Sequence, residues 1–316
     1  MSPLAEDRRI RSLRPAKPAV DAWRAHGSTI ENERRPPPNG RIERTLTVFL
    51  AGAECPFTCS FCDLWRYTID GPTPLGALPA QIAGTLGQLR GARPERIKLY
   101  NASNFFDRRA VPIDDLPAIA RLCDGFEGVT VESHVSTVGT PALEFARMLG
   151  GRLEVAVGLE TVHPGAMRTL NKKIDVPAFD RAVGCLRDHD VDVRAFVLLG
   201  APYVSAEESV EWTTRTVQHA VRAGARTVAI IPVRGGNGEM ERLLSAGDFV
   251  PPTFEQLEAA LDESIGTANA IITVDLWDVE RLPTCAHCGP ERVARLGRMN
   301  LSQQREPRIR CARHVA

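Results

Sequence analysis

The chain has 316 residues and carries 39 acidic and 39 basic side chains, so its formal net charge is zero. This balance argues against a nucleic-acid-binding surface over the whole protein but leaves room for local basic patches. A hydrophobic fraction of 43% is that of an ordinary globular protein, and the length suits one α/β domain with appendages. The sequence has no apolar run of about 18 residues and no apolar signal core, so we expect a cytoplasmic protein that does not span a membrane.

Residues 1–44 form a polar segment that carries more Lys and Arg than Asp and Glu and includes the run Arg34-Arg35-Pro36-Pro37-Pro38. The segment has no clear hydrophobic period, so we predict a basic arm or an irregular cap on the domain that follows. Trp23 is the candidate anchor of this arm on that domain.

Strand-like and helix-like segments alternate from residue 45 onward, which predicts an α/β core over residues 45–280. The strand-like segments are short, apolar and mostly β-branched, as is typical of parallel strands covered on both faces: Thr45–Leu50, Arg96–Asn101, Val129–Ser133, Leu153–Leu159, Val191–Leu199 and Thr227–Pro232. Helical segments lie between them, near residues 78–90, 114–123, 140–149, 177–188 and 206–223. Such strand–helix units with right-handed crossovers predict a partial (β/α)6 barrel of the TIM type. A capping box at Thr253-Phe-Glu-Gln256 then opens a helix to about Thr267, and Ile271–Leu276 follows as one more strand.

Three cysteines follow the first of these strands in the run Cys55-Pro-Phe-Thr-Cys59-Ser-Phe-Cys62. Thiolates spaced this way can bind three irons of a [4Fe–4S] cluster and leave the fourth iron open, whereas an electron-transfer cluster normally takes four cysteines. The alternatives are a zinc loop, which would need a second ligand pair within reach, and three unligated cysteines. Because the run follows a barrel strand, we expect it at the C-terminal edge of the sheet, where parallel barrels carry their chemistry.

This run resembles the signature of the radical S-adenosylmethionine (SAM) superfamily, including the aromatic Phe61 before the third cysteine. The resemblance implies that a [4Fe–4S] cluster binds SAM through its open iron and cleaves it reductively, which yields a 5′-deoxyadenosyl radical that abstracts hydrogen from a substrate. It also implies that Phe61 packs near the adenine and that a reductant such as flavodoxin or ferredoxin supplies the electron. Thiolate ligands to iron indicate a reducing compartment.

Polar residues at the ends of the second and third strands are candidates for holding SAM, because these ends share one face with the cysteine run. Asn101 and Ser103 follow the second strand, where they can accept hydrogen bonds from the SAM ammonium. Glu132 and Ser133 end the third strand, and a carboxylate there suits the ribose hydroxyls or the ammonium.

The ends of the later strands add further candidates. Glu160 ends the fourth strand, where a carboxylate would face the positive charges of SAM, and Arg168 or Lys172 is its alternative partner. Gly200 ends the fifth strand and permits close backbone approach to the ribose or adenine. Val233 follows the sixth, and the superfamily resemblance implies a backbone contact there with the adenine edge. Four residues are candidates for the substrate side: Trp65, Tyr100, His134 and Tyr203.

Two short chelating pairs, Cys285-Ala-His-Cys288 and Cys311-Ala-Arg-His314, lie in the C-terminal extension of residues 281–316. Pairs of this spacing separated by a loop are typical of a tetrahedral Cys3His zinc site. The alternatives are an unligated tail and a second iron–sulfur cluster, with three cysteine ligands and His314 or substrate in fourth position. Arginines around these pairs predict either an anion-binding tail or a solvated face: Arg292, Arg295, Arg298, Arg305, Arg308, Arg310 and Arg313.

Three further segments narrow the resemblance: Ile97–Asp107, Leu153–Thr161 and Ala195–Gly200. They resemble the radical SAM branch of the elongator catalytic subunit, and within it the archaeosine-forming radical SAM proteins, over roughly residues 40–280. The resemblance implies a base or modified nucleoside of tRNA as a candidate substrate. The alternatives are a radical SAM enzyme of natural-product or cofactor biosynthesis and, in a different class, a non-catalytic metal-stapled nucleic-acid-binding protein.

Overall fold

The structure, a computed structural model, describes residues 3–267 and 269–311. Within these ranges eight strands form one curled sheet, an open half-barrel: β1 (Gly27–Arg34), β2 (Ile42–Phe49), β3 (Arg96–Tyr100), β4 (Gly128–Ser133), β5 (Arg152–Glu160), β6 (Asp192–Leu199), β7 (Thr227–Pro232) and β8 (Ile271–Val274). Their order in the sheet follows the chain, with β1 antiparallel to β2 and every later pair parallel. The predicted α/β fold and TIM-type half-barrel are confirmed.

Ten α-helices in the described ranges connect or flank these strands: α1 (Pro3–Ser12), α2 (Ala77–Gly87), α3 (Leu116–Leu122), α4 (Thr140–Met148), α5 (Pro164–Thr169), α6 (Val176–Arg187), α7 (Ser209–Ala223), α8 (Glu239–Ala246), α9 (Phe254–Ser264) and α10 (Gly289–Ser302). The prediction for α9 is confirmed by its N-terminus, where Thr253 and Gln256 form the expected capping box. Among these helices, none combines the length and the apolar character that crossing a membrane requires.

Alternate residues of the parallel strands face two different environments. One face is apolar and packs under the helices, where Leu99 of β3 and Val155 of β5 join one buried cluster with Phe145 and Phe179. The opposite face is polar, although the sequence predicts apolar strands covered on both faces. Glu154, on this face, has no exposed surface. The strands are buried on both faces, but charges and hydrogen bonds fill the inner one.

Glu154 lies at the centre of an ionic network on the inner face. Its carboxylate accepts hydrogen bonds from Arg194 Nε at 3.1 Å and Thr130 Oγ1 at 2.9 Å, and Arg35 Nη2 lies 3.4 Å away. Burial alone would raise the pKa of Glu154, but Arg194, Arg35 and their neighbours outweigh it and hold that pKa well below its usual range. Arg194 also donates to Glu33 at 3.0 Å. Because Glu33 lies on β1, the network ties an edge strand to β5 and β6.

The helix α10 packs against both edge strands, β1 and β8. The side chain of Asn300 bonds the backbone N–H and C=O of Val274 at 2.9 Å each, and Gln303 bonds those of Ile272 at 2.8 Å each. Arg34 of β1 donates to a backbone carbonyl near the end of α10. Two amide side chains thus occupy the edge of β8 that another strand would otherwise pair with.

Residues 1–44 contain more regular structure than the sequence predicts. The expectation of an irregular segment is wrong for α1 and β1. The strand β1 escapes prediction because it is an edge strand with little buried surface, so polar residues occupy both of its faces. Trp23 does not anchor the segment, since 55% of its surface is exposed. Instead, Gln81 Nε2 of α2 donates to the carbonyl of Ala22 at 2.6 Å.

Candidate functional site

Residues 55–62, which we call the cysteine loop, follow β2 at the C-terminal edge of the sheet. Backbone and amide contacts from two other loops hold them. The N–H of Ser60 donates to the carbonyl of Leu170 at 3.0 Å. From the loop after β7, Asn237 Nδ2 donates to the carbonyls of Ser60 at 2.8 Å and of Cys62 at 3.2 Å. The Gly-rich loop around Asn237 thus packs on the cysteine loop.

A third group of contacts centres on Thr58, which is buried. Asn171 Nδ2 donates to the carbonyl of Thr58 at 2.9 Å and to Asp7 of α1 at 2.8 Å. Thr58 Oγ1 donates to the same Asp7 oxygen at 2.6 Å. Burial works to raise the pKa of Asp7, but these donors and Lys173 outweigh it and lower that pKa. The N-terminal helix therefore helps to fix the cysteine loop.

The thiols of Cys55, Cys59 and Cys62 are free and partly buried. Burial raises the pKa of Cys59 to about 12 and that of Cys62 well above its usual range, so these thiols stay protonated until a metal displaces the protons. A [4Fe–4S] cluster offers each of three thiolates a separate iron, so three free cysteines on one loop fit such a cluster.

Buried polar atoms without partners line the loop after β3 and the end of β4. Both amide atoms of Asn101, the hydroxyl of Ser103 and Oε1 of Glu132 have no hydrogen-bond partner among the described residues. Asn101 has no exposed surface. Buried polar groups nearly always find partners, so a group of orphans at this edge fits a polar ligand such as the amino-acid part of SAM.

Glu132, at the end of β4, also has a shifted pKa. Burial raises its pKa to about 7, against the backbone N–H groups of Ala102, Asn101 and Ser103, which lower it. Lys172 adds a smaller favourable charge. Near neutral pH the carboxyl therefore exists in both protonation states, and a cationic ligand would draw it to the carboxylate.

Glu160 at the end of β5 forms a buried ion pair with Lys172, whose Nζ lies 2.7 Å from Oε1. The backbone of Glu160 has a left-handed φ of 68°, at an irregularity in the pairing of β5 with β6. A Cβ at Gly158 would collide with the ends of both side chains, so a larger residue there would displace the ion pair. The partner is Lys172 rather than Arg168, and the Lys172 ammonium also lies 5.9 Å from the ring centre of Phe61.

His134 braces the cysteine loop against β4. Its ring stacks on Phe57, with centroids 3.9 Å apart. Its Nε2 lies 2.9 Å from the carbonyl oxygen of Lys172. Burial lowers the pKa of His134 to about 4, with help from the Lys172 charge, so the ring is neutral near pH 7. The neighbouring Ser133 bonds Thr137 at 2.7 Å.

Gly200 and Val233 have different roles. Gly200 has a left-handed φ of 73°, and Pro252 occupies the space where a Cβ would project. The close approach at Gly200 is thus to Pro252. Val233 is buried in a small apolar cluster with Met240, and Phe61 packs against that cluster. The side chains of Phe61 and Val233 therefore belong to one apolar wall.

The other candidate substrate-side residues, Trp65, Tyr100 and Tyr203, lie in different environments. Trp65 is buried, and the guanidinium groups of Arg14 and Arg66 lie 4.9 and 5.4 Å from its ring centre. Burial raises the pKa of Tyr100 far above its usual range, although the Arg194 charge lowers it. Tyr203 packs against the same apolar cluster as Phe61. Trp65 is thus covered rather than presented to a ligand.

Sequence reasoning did not single out Asn104, which contacts a cysteine directly. Asn104 Nδ2 lies 3.3 Å from Cys55 Sγ, and its Oδ1 accepts the backbone N–H of His134 at 2.8 Å. Asn171 and Asn237 were missed in the same way. Their signal in the sequence is weak, because asparagine is common in loops.

A cleft of about 320 Å³ adjoins Cys55. Arg14 on its wall binds Glu54 at 2.7 Å. Arg11 and Arg109 also line it, and neither has a carboxylate partner among the described residues. Asp70, which pairs with Lys17, lies on the same wall. Three arginines thus face two carboxylates, which leaves the cleft a small positive excess.

The C-terminal cysteines come together as well. The sulfurs of Cys285, Cys288 and Cys311 all lie within 4.8 Å of one another, and His314 lies outside the described residues. The backbone N–H groups of Cys288 and His287 lower the pKa of Cys285 to about 6, which favours a thiolate. Several surrounding arginines are paired: Arg292 with Glu258, Arg295 and Arg308 with Asp262, and Arg298 with Glu306.

Comparisons with known proteins support the fold. No protein-family model matches the sequence, and no curated protein matches it either. Among solved structures, the archaeal Elp3 of Methanocaldococcus infernus, with residues 1–46 deleted, superposes with a TM-score of 0.51 at 15% identity. The match covers 63% of this chain and 52% of Elp3. The half-barrel described above is thus shared with Elp3.

Two other solved structures are similar at TM-scores of 0.49 and 14% identity. Methylornithine synthase (PylB) matches over 70% of this chain and 62% of its own. Coproporphyrinogen III oxidase (HemN) from Escherichia coli, described as a radical SAM enzyme, matches over 68% of this chain and 50% of its own. The chain thus spans about half to three fifths of the length of these three proteins. The likeness to Elp3 shows the fold alone, so the radical SAM superfamily and its narrower archaeosine-forming branch both stay predictions.

Proposed function

We propose that this chain is a radical SAM enzyme. One observation carries the proposal: three cysteines on one loop lie at the C-terminal edge of a half-barrel, next to unpartnered buried polar atoms. A three-thiolate [4Fe–4S] cluster with SAM supplies reductive cleavage of the sulfonium C–S bond and a 5′-deoxyadenosyl radical. Iron–thiolate ligation fits a reducing compartment such as the cytoplasm, with flavodoxin or ferredoxin as reductant.

Different residues of the chain would hold the [4Fe–4S] cluster and SAM. Cys55, Cys59 and Cys62 would hold the cluster. Asn101, Ser103 and Glu132 would bind the polar end of SAM, because their buried atoms lack other partners. The remaining cofactor contacts proposed are Ser133, Glu160, Gly200, and the apolar wall of Phe61 and Val233. The chain's own contribution is orientation and exclusion of water, since the cofactors carry the difficult step.

The proposal is tested with Cys59→Ala beside Cys185→Ala. Cys185 lies on α6, away from the cysteine loop, so its loss removes a thiol without touching the site. After anaerobic reconstitution, wild type and Cys185→Ala should bind about four irons at the first site and form 5′-deoxyadenosine from SAM under reduction. Cys59→Ala should lose both. Undiminished SAM cleavage by Cys59→Ala would overturn the proposal.

For the substrate we propose a base or modified nucleoside within tRNA. The supports are the resemblance of three segments to a tRNA-modifying branch and the positive cleft beside Cys55, which suits a phosphate-bearing ligand. Arg11→Glu/Arg109→Glu should weaken the binding of bulk tRNA in a gel-shift assay, while uncoupled SAM cleavage persists. Arg90→Glu/Arg222→Glu makes the same charge change just after α2 and near the end of α7, and serves as the control. If wild type cleaves SAM but binds no tRNA, an enzyme of small-molecule biosynthesis becomes the better hypothesis.

For the C-terminal extension we propose a zinc site formed by Cys285, Cys288 and Cys311, with His314 as fourth ligand. The support is the short separation of the three sulfurs, which suits one metal ion bonded to all of them. Cys288 immediately precedes α10. A metal there would fix the start of the helix that packs between the two edges of the sheet.

A further inference from the structure

Asn104 lies on the loop after β3 and is buried, with 4% of its surface exposed. Its side chain joins two groups that are distant in the sequence: Cys55 Sγ, 3.3 Å from Nδ2, and the backbone N–H of His134, 2.8 Å from Oδ1. Among the described residues, Cys55 is the one member of the triad that receives a hydrogen bond from a side chain.

The orientation of this amide follows from its partners. A backbone N–H can only donate, so the group of Asn104 that faces His134 must be the oxygen. The amide N–H groups then necessarily face the sulfur. His134 cannot drift, because its ring stacks on Phe57 and its Nε2 bonds the carbonyl of Lys172. The fold therefore fixes the orientation of the Asn104 amide, and its N–H points at the sulfur of Cys55.

We propose that Asn104 is a positioning residue that sets the reduction potential of the iron–sulfur site through its hydrogen bond to Cys55, an inference that rests on the proposed function. One-electron reduction by a low-potential donor adds one negative charge to the cluster and its thiolates. An N–H that points at a ligand sulfur stabilises the more negative state, and hydrogen bonds to sulfur are among the features that set such potentials. Asn104 therefore raises the potential and makes the site easier to reduce.

The same contact has a second consequence. Asn104 connects Cys55 to His134, and the carbonyl of Lys172 holds the His134 ring. Lys172 in turn binds Glu160. The electrostatic environment of the cysteine loop is thus tied by direct contacts to the strand end at which we place SAM.

The experiment compares Asn104→Asp with wild type by potentiometric titration monitored by electron paramagnetic resonance. A carboxylate at this position still accepts the N–H of His134, but it loses the donor and adds a negative charge near Cys55 Sγ. At a fixed solution potential we expect the ratio of reduced to oxidised cluster to fall at least about tenfold, a shift of about 59 mV for a one-electron couple. Asn104→Ser retains a hydroxyl donor, so its reduction potential should lie between those of wild type and Asn104→Asp.

Asn300→Asp is the matched control. Asn300 also accepts a backbone N–H through Oδ1 and donates through Nδ2, but to Val274 at the edge of β8. Its variant should keep the wild-type potential. Equal potentials in wild type and Asn104→Asp would overturn the inference, as would loss of the cluster in both Asn104 variants but not in Asn300→Asp. A wild-type protein that assembles no [4Fe–4S] cluster would instead contradict the proposed function.

Discussion

Two carboxylates end neighbouring strands, and their surroundings differ. Glu160 has a partner in Lys172, so its charge is already balanced. Glu132 retains an unpartnered oxygen, and burial raises its pKa to about 7. Of the two, Glu132 is the group whose charge state a cationic ligand would change.

We expect SAM to bind more tightly as the pH rises from about 6 to about 8, because Glu132 loses its proton over this range and only the carboxylate accepts strong hydrogen bonds. Glu132→Gln should bind SAM more weakly at about pH 8, by about 1–3 kcal/mol, and without this pH dependence. Equilibrium dialysis with labelled SAM measures both effects.

The stability of the unliganded protein provides the control for this prediction. The folded-state pKa of Glu132 lies above its unfolded value. Its contribution to stability is therefore fully present below the unfolded pKa and is lost as the pH rises through about 7. In denaturant titrations, the free energy of unfolding of Glu132→Gln should not show this decrease as the pH rises. A variant that keeps the wild-type pH dependence of SAM affinity would show that another group titrates.

The site illustrates which residues a sequence can reveal. Cysteines at a distinctive spacing mark the cysteine loop, and carboxylates that end apolar strands are conspicuous. Asn104 is not, because its role depends on Cys55, which lies 49 positions earlier in the chain. Asn237 likewise bonds backbone carbonyls of the cysteine loop, 177 and 175 positions away. Such contacts exist only after the strands have brought their ends together.

At the scale of the elements, the parallel strands were predictable and α10 was not. Apolar β-branched runs predict strands. The buried side of α10, in contrast, includes Arg292 and Arg295, which pair with Glu258 and Asp262 of α9. A pattern search that expects apolar residues on the buried face of a helix does not detect one that buries arginines through ion pairs.

The proposed zinc at the start of α10 gives a prediction for this element. Cys285→Ala/Cys288→Ala should lose about one zinc per chain and keep about four irons after anaerobic reconstitution, because the two sites share no ligand. Metal analysis by mass spectrometry measures both contents. Cys123→Ala/Cys185→Ala removes two thiols elsewhere and should leave both unchanged.

The other outcomes discriminate between the alternatives. An auxiliary cluster would appear as about eight irons in wild type and about four in Cys285→Ala/Cys288→Ala. Identical zinc and iron in the two proteins would show that the C-terminal cysteines are unligated. With zinc, loss of the site should also increase hydrogen exchange in the first turns of α10, since the metal no longer fixes them.

For the whole molecule, the polar character of the inner face of the half-barrel is the main feature that the sequence did not predict. Apolar strand patterns indicated cover on both faces. The inner cover consists of carboxylates and cations from distant strands, among them Glu33 of β1, Glu154 of β5 and Arg194 of β6. Single charged residues within apolar runs do not predict this network. A charge can be buried there only because residues of other strands pair with it, and the sequence does not show those pairs.

This network leads to a prediction about global stability. Glu154→Gln should lower the free energy of unfolding by about 3–5 kcal/mol, because it removes the buried carboxylate that Arg194 and Arg35 share and leaves these two guanidinium groups only Glu33 and Glu43 as partners. Glu127→Gln is the control: Glu127 is half exposed and binds Arg41 at the surface, where an ion pair contributes about 0–1 kcal/mol. Urea titrations of the three proteins measure the difference.

Urea titrations at several pH values test whether the charge of Glu154 is the cause of this stabilisation. The folded-state pKa of Glu154 lies far below its unfolded value, since the surrounding cations outweigh the effect of burial. Its contribution to stability is therefore present above the unfolded carboxyl pKa of about 4.3 and is lost as the pH falls toward the folded one. Wild type should lose more stability than Glu154→Gln between about pH 6 and about pH 3. If Glu154→Gln unfolds at the same urea concentration as Glu127→Gln throughout, ionic pairing does not hold the half-barrel together, and its outer apolar face alone stabilises the sheet.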